Sequence, residues 1–176
     1  MSTEKDFSVY KWYADLIDEQ TDNVTIVYLG ELRWKFVKLR FTNILQFLQK
    51  LTLISHATFS NYRPPIFDEK SFIINSTNLS GQWLTTSACI REKLYENANG
   101  YIVWECVMPS ASAKIELDGK TTQGLGYVER LTTTLKPWQM PINILRWGRF
   151  LSNNHSIVWI RWEGEEEKFL IFHNGL

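Results

Sequence analysis

GLGYVERLTTTLKPWQMPINILRWGRF, Gly124 to Phe150, places a carboxylate and an arginine on segments of β period that are otherwise built from large apolar residues. Counting by two through Leu125, Tyr127, Glu129 and Leu131 puts a phenol and a carboxyl side by side on one strand face, between two leucines. The run from Asn143 to Leu151 repeats the arrangement with Leu145, Trp147, Arg149 and Leu151. If both faces point into one cavity, Glu129 and Arg149 are either a buried structural ion pair or the working groups of a site.

Outward from this stretch, the same period recurs along most of the chain. Tyr10 to Ile17 and Val24 to Leu32 flank the polar turn DEQTDN, a hairpin signal. Further β-like runs are Ser71 to Ser76, Gly81 to Tyr95, Tyr101 to Met108, Ala113 to Leu117, Leu125 to Thr134, Ile142 to Leu151, Ser156 to Glu163 and Lys168 to His173. About ten strands joined mostly by short turns such as NANG, DGK and SNNH predict an all-β, up-and-down antiparallel sheet. Closure into a single barrel is expected because it removes unpaired edges. One exception is predicted after the second strand. Phe41, Ile44, Leu45, Leu48 and Leu51 recur at helical spacing behind a capping pattern at Asn43 and Gln46, which predicts a short helix over Asn43 to Leu51.

With 176 residues, 44% of them hydrophobic and eight of them tryptophan, the chain can bury a sizeable core as one domain. Its charge is balanced, 19 basic against 19 acidic residues, so no overall field exists to hold a polyanion and nucleic acid is excluded as a partner class. The balance hides a polarity: Leu32 to Phe67 has no acidic residue but contains Arg33, Lys35, Lys38, Arg40, Lys50 and Arg63. A basic amphipathic segment over Arg33 to Leu51 is either a solvated rim at one end of the barrel or a peripheral contact with an anionic membrane surface. Cys89 and Cys106 match neither a disulfide framework nor a zinc spacing, and His56, His155 and His173 show no ligand spacing, so no metal site is predicted. Gly124 and Gly126 sit in a strand rather than ahead of a helix, which gives no support to dinucleotide binding. The N-terminal residues show no basic region followed by an apolar run, so a cytoplasmic protein is the default expectation.

Three stretches read together, YKWYADLIDEQTDNVTIVYLGEL, WECVMP, and GLGYVE followed by WGR, resemble the lipocalin-like family of carotenoid 1,2-hydratases (hydroxyneurosporene synthases), to which fungal decalin-forming cyclases are related. The family's early Trp-Tyr-x-Asp-like strand corresponds here to Trp12, Tyr13 and Asp15. Its Gly-x-Gly-Tyr-x-acidic motif corresponds to Gly124, Gly126, Tyr127 and Glu129, and its Trp-Gly-Arg strand to Trp147, Gly148 and Arg149. Typical members are longer and have two barrel halves. Where they show Asp followed by His, this chain has Glu129 followed by Arg130. The resemblance implies a lipocalin-like fold and acid-assisted chemistry on a hydrophobic, unsaturated small molecule, meaning hydration, cyclisation or isomerisation, with no cofactor.

Protonating a carbon–carbon double bond requires a proton donor in a dry pocket shaped for an apolar substrate. Glu129 is the candidate acid, Tyr127 orients it and Arg149 tunes it. Desolvation would raise the Glu129 pKa and contact with Arg149 would lower it, so the balance decides between an acid and a fixed anion. Trp104, Trp147 and Trp12 offer π faces to a developing carbocation, and Tyr13, Cys106 and Met108 complete the expected substrate-binding set. Asp15, on the Tyr13 face and opposite Trp12, is a second-rank candidate. The rival readings are a non-catalytic carrier of a lipophilic molecule, in which the same polar pair anchors a head group, and one half of a homo-oligomer or hetero-complex that restores a two-barrel form.

Overall fold

A computed structural model describes residues 6–48, 52–59 and 62–176. Strand period governs nearly all of them. In chain order the strands are β1 (Phe7–Asp18), β2 (Val24–Trp34), β3 (Val37–Leu48), β4 (Thr52–Thr58), β5 (Ile66–Phe67), β6 (Ser71–Asn75) and β7 (Leu79–Leu84). They continue with β8 (Ile90–Asn97), β9 (Gly100–Leu117), β10 (Lys120–Thr133), β11 (Ile142–Leu151), β12 (Ser156–Gly164) and β13 (Lys168–His173). Pairing is antiparallel throughout: a large sheet runs β4-β3-β2-β1-β10-β9-β7-β6-β5, with β8 also on β9, and a separate sheet runs β11-β12-β13. The described joints between sequential partners are turns or short loops, as at Asp118-Gly119, where positive φ at both residues makes the tight hairpin between β9 and β10.

The fold is lipocalin-like and all-β, as the period predicts, but the sheet does not close on itself. Strand β9 explains the difference. Its C-terminal half pairs with β7, from Leu84↔Ser112 to Leu79↔Leu117, while its N-terminal half pairs with β8, from Ile90↔Cys106 to Asn97↔Gly100. Pro109 lies at the change of partner, and the register of β9 against β10 shifts between Gly126 and Glu129. A strand tolerates proline at such an irregularity because no ladder hydrogen bond is demanded of it there. The sheet therefore forks and serves two cores instead of enclosing one.

The first core lies on the Trp12 face of β1, where Trp12, Leu16, Leu29, Phe72, Trp83, Met108 and Ile115 pack together. The second lies on the Tyr13 face, where Tyr13, Trp104 and Tyr127 meet Val158, Ile160 and Trp162 of the small sheet. Five consecutive residues of β1, Trp12 to Leu16, are buried because each face has its own cover. Removing each of the large side chains from water contributes roughly 1.5–3 kcal/mol, and this burial is what holds the two sheets together.

The helix expected over Asn43 to Leu51 is not formed. Val37–Leu48 is strand β3, paired with β2 from Trp34↔Val37 to Val24↔Phe47 and with β4 from Thr42↔Thr58 to Leu48↔Thr52, while residues 49–51 lie outside the described residues. A spacing of three and four also places residues on alternating strand faces, and two ladders of backbone bonds outweigh local helical preference. Phe41 lies over Gly30 across the β2–β3 pair, so that any side chain at Gly30 would meet its ring. Asn43, the expected cap, instead accepts a hydrogen bond from Ser55 on β4 at 3.3 Å.

Candidate functional site

The register of three strands builds one face. Across β1 and β10, Tyr13 stands opposite Glu129, Asp15 opposite Tyr127 and Lys11 opposite Leu131. Across β10 and β9, Glu129 stands opposite Cys106 and Leu131 opposite Trp104. Strand β11 lies over this face and contributes Trp147 and Arg149 from the Trp-Gly-Arg stretch. Gly148 is required there because a side chain would collide with the indole of Trp159 on β12. Between the two sheets lies a cavity of about 200 Å³, walled by Lys11, Tyr13, Tyr28, Trp104, Glu129 and Trp147, with three leucines and Ile160 completing it.

Glu129 is held by two neutral donors. Trp104 Nε1 donates to its Oε2 at 2.6 Å and the Tyr127 hydroxyl donates to the same oxygen at 2.9 Å. Burial among aromatic rings pushes its pKa above the ordinary carboxylate value, and the two hydrogen bonds only partly offset that. Part of the residue remains accessible because its open side faces the cavity. Tyr127 is fully buried, and its hydroxyl is pushed well above its usual pKa by burial and then by Cys106 and Glu129, so it stays a donor at all ordinary pH.

Arg149 is not the partner of Glu129. Its Nε and Nη2 donate to Asp15 Oδ2 at 2.8 and 2.6 Å, and the guanidinium lies over the Tyr127 ring with its carbon 5.3 Å from the centroid. The buried ion pair foreseen for Glu129 is thus made by Asp15, which is completely buried and whose Oδ1 has no hydrogen-bond partner among the described residues. Burial pushes the Asp15 pKa up while the charge of Arg149 pulls it down. Tyr13, 5.3 Å from Tyr28, 6.0 Å from Tyr127 and 5.2 Å from Trp147 between ring centroids, sits at the centre of the aromatic wall.

Of the residues expected in the site, Glu129, Tyr127, Arg149, Trp104, Trp147 and Tyr13 come together. Cys106 lies beneath them, fully buried, with burial raising its thiol pKa. Trp12 and Met108 do not join them: both belong to the first core, on the far side of the sheet. For Trp12 this is the alternation of β1. For Met108 it is the register shift, which turns β9 over between Cys106 and Met108. Arg130, following Glu129, also points away, pairing with Glu105 and lying over the Trp12 ring.

Lys11 and Tyr28 are the polar wall residues that sequence reasoning missed, beside the aliphatic Leu94, Leu131, Leu145 and Ile160. Lys11 shares a period of two with Tyr13 and Asp15, and that signal was available. Its Nζ lies 4.5 Å from the Tyr28 ring centroid, and burial lowers its pKa against the opposing pull of Glu129. A larger cleft of about 640 Å³, between Thr85, Ser110 and Asn154, is open and polar and holds none of these groups. Among the described residues no group of three or more His, Cys, Asp or Glu is placed to hold a metal ion, and no helix is long and apolar enough to cross a membrane.

No protein-family model and no curated protein matches the chain by sequence. Solved structures do match its shape. A candidate AttH from Nitrosomonas europaea superposes with a TM-score of 0.55 at 7% identity, over 99% of this chain and 70% of that one. CghA in complex with Sch210972 superposes with a TM-score of 0.53 at 8% identity, and CghA alone with 0.54 at 9%, each over 96% of this chain. This chain spans 58% of the length of CghA. At such identities the likeness establishes a shared fold, and the chemistry is argued from the cavity.

Proposed function

We propose that the cavity binds a hydrophobic, unsaturated small molecule and that Glu129, as a neutral acid, delivers a proton to it in a hydration, cyclisation or isomerisation that needs no cofactor. The observation that carries this reading is the company Glu129 keeps at the cavity wall: an indole N–H and a phenol, with no guanidinium in contact. Because both donors occupy Oε2, the proton of the neutral acid falls to Oε1, which bonds to no described residue. Tyr127 and Trp104 then stabilise the carboxylate as it forms, without the reorganisation that water would require. The π faces of Trp104 and Trp147 would each stabilise a cationic carbon by roughly 0.5–2 kcal/mol. A cavity of about 200 Å³ is small beside the roughly 300–1,000 Å³ of drug-sized pockets, so it suits a compact substrate or the reacting end of a longer one. The resemblance to carotenoid hydratases and decalin-forming cyclases supports the same substrate class, and CghA, which shares the fold, holds Sch210972.

Arg149 supports the site indirectly in this reading: it neutralises Asp15 and ties β11 over the cavity. The carrier reading is favoured by one feature, the presence of both Lys11 and Glu129 on the cavity wall, which suits a polar head group. The test is Glu129→Gln, which preserves shape and hydrogen-bond acceptance. Mass spectrometry of the molecule that co-purifies supplies the ligand. An enzyme keeps its fold and ligand affinity in this variant and loses turnover. Unchanged turnover removes Glu129 from the mechanism, and binding with no product in the parent protein supports the carrier.

A further inference from the structure

Strands β2 and β3 meet in a two-residue turn, Lys35-Phe36, with Lys35 at a φ of 53°. Phe36 is 94% exposed, Trp34 is 45% exposed and Trp138, from the loop between β10 and β11, is 69% exposed. The two indoles meet edge to face with centroids 6.1 Å apart, and the Lys136 ammonium lies 5.9 Å from the Trp138 ring. Val37 and Leu39 extend the apolar surface down the hairpin. Three large aromatic or apolar groups at a projecting tip form an unusual surface for water to cover.

The tip is ringed by cations. Arg33, Lys38 and Arg40 gather on Glu31 at 2.7, 2.9 and 2.9 Å, while Lys35 and Lys136 pair with no described carboxylate. Among the described residues the opposing acids are Glu31 and Asp6, whose backbone carbonyl accepts a hydrogen bond from the Lys35 N–H. Five cations against two acids, around tryptophan and phenylalanine, match the interfacial zone of an anionic bilayer, where indoles settle at head-group depth and ammonium groups meet phosphate. A convex turn of this width offers no broad flat face for a protein partner of ordinary interface size.

We propose that this tip docks the protein on anionic lipid bilayers, with Trp34, Phe36 and Trp138 entering the interface and Arg33, Lys35, Lys38, Arg40 and Lys136 facing lipid phosphates. The membrane contact considered for the basic segment Arg33 to Leu51 is thereby narrowed to the tip of the β2–β3 hairpin and the neighbouring Trp138. The docking stands independently of the reaction assigned to Glu129, but it has a consequence for the cavity. Lys11 at the cavity wall pairs with Gly30, and Phe7 pairs with Trp34, so four residues of β1, about 13 Å, separate the wall from the tip. The loop carrying Trp138 runs directly into β11, whose Trp147 forms the cavity roof. A docked molecule would hold the cavity close to the pool from which a lipophilic substrate partitions.

The test uses the full chain with sedimented vesicles of phosphatidylcholine alone and of phosphatidylcholine mixed with phosphatidylserine. Binding to the mixed vesicles is expected to be about tenfold tighter or more, and to weaken as salt rises. Phe36→Asp and the pair Lys35→Glu with Lys136→Glu alter exposed side chains, so folding, checked by melting temperature, is expected to be unchanged while vesicle binding falls about tenfold or more. Equal binding to both vesicle types, no binding to either, or variants that bind as the parent does would overturn the proposal. So would light scattering that shows a dimer lost in Phe36→Asp, since the tip would then serve a second copy of the chain.

Discussion

Glu129, half-buried at the cavity wall, and Asp15, fully buried, are carboxyls on one sheet face, and the difference in their partners separates their roles. Asp15 faces a guanidinium, so replacing it with asparagine leaves the Arg149 charge buried and uncompensated at a cost of about 3–5 kcal/mol. At about 2–4 °C per kcal/mol for a chain of this size, the melting temperature of Asp15→Asn is expected to fall by roughly 6–20 °C, with much of the loss recovered in Asp15→Asn/Arg149→Met. A single variant as stable as the parent would mean that the pair contributes nothing. Glu129 faces neutral donors and its pKa is raised above 4.5. The folded state then retains a proton that the unfolded chain has released. This stabilisation is full below the unfolded pKa of about 4.5 and is lost as pH rises through the raised folded value. Glu129→Gln does not titrate, so its stability relative to the parent is expected to climb as pH rises from about 4.5 through the raised pKa, by about 1.4 kcal/mol for each unit of the rise. A difference that stays flat over that range would show that this carboxyl does not titrate there. Turnover, which needs the protonated acid, is expected to fall on the alkaline side of the same transition.

At the scale of elements, the faces of β10 and β11 were legible because a period of two leaves no choice once a strand is recognised. Tyr127 with Glu129, and Trp147 with Arg149, therefore emerge from the sequence as found. What the period cannot carry is a change of phase. Period alone groups Met108 with Trp104 and Cys106, because nothing local except Pro109 announces the register shift that turns β9 over. The β3 segment differs for another reason, since its apolar residues recur at helical spacing and fall on both faces of a strand, and only the ladders to β2 and β4 decide between the two states. The Asp15–Arg149 pair bridges 134 residues, a separation on which local patterning is silent. Gly126 shows how tightly these elements interlock. A Cβ there would lie 2.6 Å from both Ala113 and the Trp83 ring, and Trp83 Nε1 donates to the Asp15 carbonyl at 2.6 Å. Gly126→Ala is therefore expected to displace the indole and loosen β1 next to the ion pair, costing about 1–3 kcal/mol as a shift of the urea midpoint. An unshifted midpoint would mean that Trp83 gives way freely.

Across the whole molecule, closure was the expectation that the chain does not meet, and the forked sheet gives the cavity a separable roof. Among the described residues, strands β11 to β13 form no backbone ladder with the large sheet. They are held by the second core and by a few side-chain links: Arg149 to Asp15, Ser156 Oγ to the Pro109 carbonyl at 2.7 Å, and Lys168 Nζ to the Leu94 carbonyl at 2.6 Å. An element joined by side chains alone can open without unfolding the ladders beneath it, so its local stability is expected to lie below that of the whole. Hydrogen exchange read by mass spectrometry should find the amides of β11 to β13 exchanging faster than those of β1, β9 and β10. A ligand seated between Trp104 and Trp147 contacts both sheets and binds only the closed form, so it should slow exchange in the roof by mass action while leaving the large sheet nearly unchanged. Uniform exchange across both sheets would mean that the two cores open as one unit. The cavity would then fill by unfolding or from an open side rather than by lifting its roof.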